Sequence, residues 1–182
     1  MIRLFAALPA PEEIAQGLAR RQQGLPRARW SPQERLHITL SFYGEISETV
    51  AADLDDALAA IDLPAFDIAL QGVGAFGEGP DVRAVWAGVE ENAALARLAA
   101  RCEAAGKRLG IRMEPRTYLP HMTLAYLRRS PADRVAAWIQ DHNLLKSPPW
   151  RADHFALYSS WKGPDGSQYD VERVYRLGRD SR

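Results

Sequence analysis

Short apolar runs of strand length alternate along this chain with segments whose apolar residues recur every three or four positions. Ile2 to Leu8 reads as a strand. Pro11 then opens a helix in its first turn, where a missing N–H costs nothing, and Ile14 and Leu18 give that helix an apolar face. A loop rich in Pro and Arg, GLPRARWSPQER, leads into the strand LHITLSFYG, closed by Gly44. Ser47 is a good N-cap for a helix with Val50, Leu54, Leu58 and Ile61 at helical spacing. Phe66 to Val73 reads as the next strand.

The same order then returns. Val82 to Val89 reads as a strand, and Asn92 caps a helix with Leu95, Leu98, Cys102 and Leu109, ended by Gly110. A linker, IRMEPRTYLP, precedes the strand HMTLAYL. Ser130 is the expected N-cap of a further helix, with Pro131 at its first position and Val135, Trp138 and Ile139 on its apolar face. The strand ADHFALYSS, a turn KGPDG and a last strand from Tyr169 to Leu177 complete the chain.

Aligned by element starts, the halves are offset by 80 (82 minus 2), 81 (92 minus 11), 84 (121 minus 37) and 84 (131 minus 47). The pattern predicts an α+β fold made of a duplicated β-α-β-α-β unit with pseudo-twofold symmetry. We expect one bilobal domain over 1–182, with intimately packed halves of about 1–78 and 79–182.

The chain has 182 residues, enough for one such domain. Lys plus Arg equals Asp plus Glu at 23 each, so it lacks the basic character of a protein that coats long nucleic acid. Basic clusters are local: Arg20-Arg21 with Arg27 and Arg29, then Arg128-Arg129. The single cysteine, Cys102, excludes an intramolecular disulfide and reads as a core residue. No apolar run is long enough to span a bilayer, and MIRLFAALPAPEE turns acidic too soon for a signal peptide, so a cytoplasmic protein is expected.

The candidate chemistry lies in a repeated word. Two of the four histidines stand in the frame His-x-Thr-Leu, each in the third element of its unit. In a strand, His37 and Thr39 share one face, as do His121 and Thr123, while Ile38 and Leu40, or Met122 and Leu124, take the other. Pseudo-symmetry would bring the two polar pairs face to face.

Two imidazoles and two hydroxyls suit phosphoester chemistry. One neutral ring takes a proton from water, a protonated ring gives one to the departing alkoxide, and the hydroxyls hold the phosphate oxygens. A two-histidine metal site is the competing reading, but no third ligand stands near either word. No metal and no cofactor is expected.

Trp30 stacks on a base or packs on a sheet edge, and the sequence leaves both open. Phe5 leans to the cleft wall, whereas Phe42, in phase with Ile38 and Leu40, is expected in the core. Arg116 and Tyr118 border the cleft ahead of His121. GVGAFGEG lacks the ending of a phosphate loop and reads as a strand connection. His142 and His154 read as structural.

The two words, with RLFAAL, RWSPQERLHITLSFYGE, VGAFGEGPDVRAVWAGV, LPHMTLAYL and FALYSSWKGPDGSQYDVERVYRL, resemble the 2H phosphoesterase superfamily. Within it they resemble the RNA 2′,3′-cyclic phosphodiesterases, also described as 2′-5′ RNA ligases. The resemblance covers essentially the whole chain. It implies a bilobal fold with helices outside and a cleft between two antiparallel sheets, and His37, Thr39, His121 and Thr123 as catalytic residues. It also implies, as substrates, RNA 3′ ends or nucleoside 2′,3′-cyclic phosphates, opened to a 2′-phosphomonoester.

His37 is expected as proton donor, His121 as acceptor, and the protein as a monomer. Where many relatives carry an arginine after the second word, this chain has Tyr126, which strict alternation turns away from His121 unless a bulge intervenes. Arg128 or Arg129 are alternative sources of that charge. The other readings are a 2H enzyme for a small cyclic nucleotide and a non-catalytic RNA-end binder.

Overall fold

The computed structural model describes residues 1–178. In chain order the elements are β1 (Ile2–Pro9), α1 (Glu12–Ala19), β2 (Ala28–Trp30), β3 (His37–Ile46), α2 (Glu48–Ala59), β4 (Phe66–Ile68) and β5 (Leu70–Phe76). Then follow β6 (Ala84–Val89), α3 (Ala93–Arg108), β7 (His121–Leu127), α4 (Ala132–His142), β8 (Trp150–Ala152), β9 (His154–Gly163) and β10 (Gly166–Arg176).

Local chemistry accounts for most boundaries. The Ser47 side chain accepts from the Val50 N–H, and Asn92 accepts from the Leu95 N–H while its amide donates to the Asp67 carbonyl, so the second cap also fastens α3 to β4. Ser130 is a correction. Pro131 takes the N-cap position with no side-chain cap, and the buried Ser130 hydroxyl donates instead to the Pro26 carbonyl, tying the start of α4 to the approach of β2.

The strands form an antiparallel sheet in the order β10-β9-β1-β3-β7-β6-β5, with β2 beside β7, and a small second sheet of β4 and β8. The large sheet is nearly two. Between β3 and β7 only Ile38 and Met122 pair, so a half-sheet of β10, β9, β1 and β3 meets one of β5, β6, β7 and β2 at a single point. The cavity opens beside that junction, over β1, β3 and β9 and against Tyr126 of β7.

The strand order crosses the chain halves. β9, from the second half, pairs with β1, and β5, from the first, pairs with β6. β4 and β8, just ahead of these strands, pair with each other. The first half thus lends β5 to β6, and the second lends β9, with β10 beside it, to β1.

The faces away from the cleft carry the core. Ile38, Leu40, Met122 and Leu124 are all buried with Leu54, Leu58, Leu95, Leu98 and Phe155. Burying each such side chain is worth about 1.5–3 kcal/mol. α3 backs β3, where the buried Tyr43 hydroxyl donates to the Cys102 carbonyl. Cys102 is fully buried, and its burial pushes the thiol well above its ordinary value. The glycine-rich stretch is strand, not connection, as far as Phe76. Gly74 serves packing, because a Cβ there would stand 2.4 Å from the Trp86 ring.

Candidate active site

His37 and His121 are the first residues of β3 and β7, each next to the one pair that joins the half-sheets. Both rings are held alike. His37 Nδ1 lies 2.6 Å from the Arg35 carbonyl and His121 Nδ1 2.8 Å from the Leu119 carbonyl, the carbonyl two residues back in each case. A carbonyl only accepts, so Nδ1 carries the hydrogen in both rings. Nε2 is therefore the working nitrogen: a base when the ring is neutral, a donor when it is protonated.

The walls differ. His37 sits against Phe5 at 5.1 Å and Tyr169 at 5.5 Å between ring centroids, and Phe5 in turn stacks on Tyr158 at 5.2 Å. His121 meets Phe76 edge-on at 4.8 Å and Trp86 at 6.0 Å. His121 is the more open of the two.

Burial, the largest cause, holds both rings below the ordinary histidine value of 6.5. The Arg35 and Leu119 carbonyls oppose it, and the charge of the other histidine for His37, or of Arg116 for His121, adds to it. That His37 responds to His121 means that the two words share one electrostatic environment.

Matched irregularities shape the cleft. Ala6 opposes Ser41 and Ala7 opposes Thr39, which leaves Leu40 as an extra residue. In β7, Val85 opposes Ala125 and Trp86 opposes Thr123, which leaves Leu124. Each His-x-Thr-Leu word thus ends in a bulge that flips the alternation beyond it.

Phe42 and Tyr126 consequently turn to the cleft, 39% and 44% exposed. For Phe42 this overturns the expected core position. For Tyr126 it replaces the strict alternation that would have turned it away. Phe42, Tyr126, Phe5 and Tyr169 line one cavity of about 270 Å³ with His37 and Thr39.

The other expected residues fall into place variously. Phe5 is buried in the cleft wall. Tyr118 is half-buried and donates to the Thr39 carbonyl at 2.8 Å, so it braces β3 beneath the first threonine. Arg116 is exposed, and its charge reaches His121.

Trp30 is not brought to the cleft. It packs on Trp138 of α4 at 6.2 Å, because β2 pairs with β7 and its alternation sends Trp30 toward the helices. The same alternation sends Arg29 to Tyr126, its partner in register, with the guanidinium 5.4 Å from the ring centroid. Arg29 also abuts the β9–β10 turn, where a Cβ on Gly166 would stand 2.4 Å from the guanidinium. Arg128 and Arg129 are exposed on the turn after β7, and the Arg129 carbonyl accepts from Arg27.

Tyr158, Tyr169, Trp86, Phe76 and Arg29 stand outside the two His-x-Thr words. Only strand pairing gathers them. Tyr169 is pushed up to about 12 by burial first and by its contact with Tyr126 next, so it is a neutral hydroxyl at working pH. His154 pairs with Asp153 at 2.6 Å on the surface, and His142 lies against Trp138 at the end of α4. Among the described residues, no three His, Cys, Asp or Glu side chains are grouped to hold a metal ion, and no helix is long and apolar enough to cross a membrane.

Known proteins share the sequence pattern and the fold. The chain is 29% identical to an RNA 2′,3′-cyclic phosphodiesterase of Archaeoglobus fulgidus, over 96% of this chain and 99% of that one. It is 36% identical to a protein of the same name from Geobacillus stearothermophilus, over 66% of this chain and 40% of that longer one. A structure from Thermus thermophilus superposes with a TM-score of 0.81 at 28% identity, covering 98% of this chain and 100% of that one. E. coli LigT complexed with 3′-AMP superposes with a TM-score of 0.78 at 26% identity, covering 98% and 99%. The family model of the 2′-5′ RNA ligase superfamily matches residues 10–164, most of the chain. The chain belongs to the 2′-5′ RNA ligase superfamily.

Proposed function

We infer that this protein hydrolyses 2′,3′-cyclic phosphate ends of RNA, and nucleoside 2′,3′-cyclic phosphates, to the 2′-phosphomonoester. The observation that carries the reading is the matched pair of imidazoles. Each has Nδ1 committed to a carbonyl, which leaves Nε2 for proton transfer, and each has a threonine two residues on along the same strand face. The name shared by the relatives, RNA 2′,3′-cyclic phosphodiesterase, supports the same substrate class.

The phosphate lies between the two words. Water attacks phosphorus while His121 Nε2, on the more open side, takes its proton. The P–O3′ bond breaks, and protonated His37, set deeper in its aromatic wall, gives its Nε2 proton to the departing O3′. One water is added, and the proton left on His121 returns through solvent. Thr39 and Thr123 donate to the non-bridging oxygens as negative charge grows there. Arg29, held over Tyr126, supplies the nearby positive charge that the second word lacks.

These steps use only side chains of this protein, with no metal and no cofactor. A 5′-hydroxyl in place of water gives a 2′-5′ linkage by the same proton movements. The enzyme acts as a cytoplasmic monomer.

The test is one incubation. In EDTA, an oligonucleotide ending in 2′,3′-cyclic phosphate should yield a 2′-phosphomonoester, identified by phosphorus NMR. Loss of activity with EDTA would point to a metal. A 3′-phosphate product would reverse the assigned leaving group.

A further inference from the structure

We propose that Arg3, Phe42 and Lys162 form a second nucleotide position, which receives the phosphodiester and base on the 5′ side of the scissile end. The proposal rests on the activity inferred above. The cavity that opens on His37 and Thr39 does not stop there: it continues over β1, β3 and β9 to Arg3, Phe42, Ser160 and Lys162. From His37 to Phe42 is five residues of β3, about 15 Å of extended chain. That lies beyond the scissile phosphate, where the next part of a polymeric substrate must run.

The chemistry there matches an internal RNA linkage. The bulges turn Phe42 out of the core and leave its ring open in the cleft, 39% exposed. An open aromatic face stacks any base without reading its identity. The Arg3 guanidinium stands 5.0 Å from the Phe42 centroid. Arg3 and Phe5 are two apart on β1 and share the cleft face, and Lys162 and Ser160 do so on β9.

Both cations are exposed, and among the described residues neither makes an ion pair. Glu45, Arg3's partner in the register, makes none with it either. In a chain of zero net charge, an exposed ring with Arg3 over it and Lys162 in the same cavity, in continuity with His37, forms a local anion-and-base site.

The experiment compares kcat/KM for adenosine 2′,3′-cyclic phosphate with that for the dinucleotide carrying one more adenosine on its 5′ side. The wild-type protein should prefer the dinucleotide by about tenfold or more, the worth of charge-assisted contacts to one phosphate. In Arg3→Ala/Lys162→Ala the ratio should fall to about one, and in Phe42→Leu it should fall part of the way. Added salt should shrink the wild-type preference and leave the double variant's ratio unmoved. A loss of folded protein cancels from the ratio.

Equal use of both substrates by the wild type, or an undiminished preference in the double variant, would overturn the second position while leaving the activity intact. Hydrolysis of neither substrate would overturn the activity, and the second position with it.

Discussion

Two backbone carbonyls decide what the histidines can do. The Arg35 and Leu119 carbonyls fix the hydrogen on Nδ1 in both rings, so the nitrogens facing the cleft are equivalent, and only their surroundings separate acid from base. The repeated word is legible in the sequence, and so is the strand period that divides it into a wet and a dry half. The partners that tune it are not. Arg29 and Trp30 are neighbours in one loop, and only the strand pairing shows which of them lies against Tyr126. If Arg29 supplies the phosphate's counter-charge, Arg29→Ala should lower kcat/KM by about tenfold. Adding Tyr126→Arg to that variant should restore most of the loss, because the charge returns to a neighbouring strand. Steady-state kinetics of the three proteins check this.

At the scale of the element, the bulges at Leu40 and Leu124 matter most. Binary pattern places Phe42 in the core, because it counts every residue in step. One inserted residue ahead of Phe42 and one ahead of Tyr126 break that step, and nothing in His-x-Thr-Leu announces it. The isolated strand β2 escapes the pattern for a similar reason: three residues, ARW, carry too little periodicity to stand out within a Pro- and Arg-containing loop. Glycines carry a signal that becomes readable only with the strand partner in view. Gly74 lacks a side chain because the Trp86 ring occupies that space, and Trp86 lies opposite Thr123. Gly74→Ala should therefore destabilise the protein by about 1–3 kcal/mol, read as a lower urea midpoint.

At the scale of the whole molecule, the near-constant offset between halves reveals the duplication but not the exchange of strands. Strand β9 completes the sheet begun by β1, and β5 completes the one begun by β6, so neither chain half holds a closed set of strands. Offsets along a chain are blind to this, since exchanged and unexchanged arrangements have the same element order. The exchange predicts a single cooperative unfolding transition, with far-ultraviolet circular dichroism and tryptophan fluorescence falling at the same urea concentration. Two separated transitions would mean that the lobes unfold independently.

The same architecture sets one histidine from each half beside the Ile38–Met122 pair that joins β3 to β7, and the pH dependence of kcat/KM tests that arrangement most directly. The proposed mechanism requires one ring protonated and the other neutral. Burial lowers both from 6.5, so the singly protonated pair is most populated below that pH. The profile should be a bell with its maximum below pH 6.5. Its acid limb marks protonation of the base, and its alkaline limb marks loss of the donor's proton. A profile with one limb, or one flat from pH 5 to 8, would contradict two-histidine catalysis.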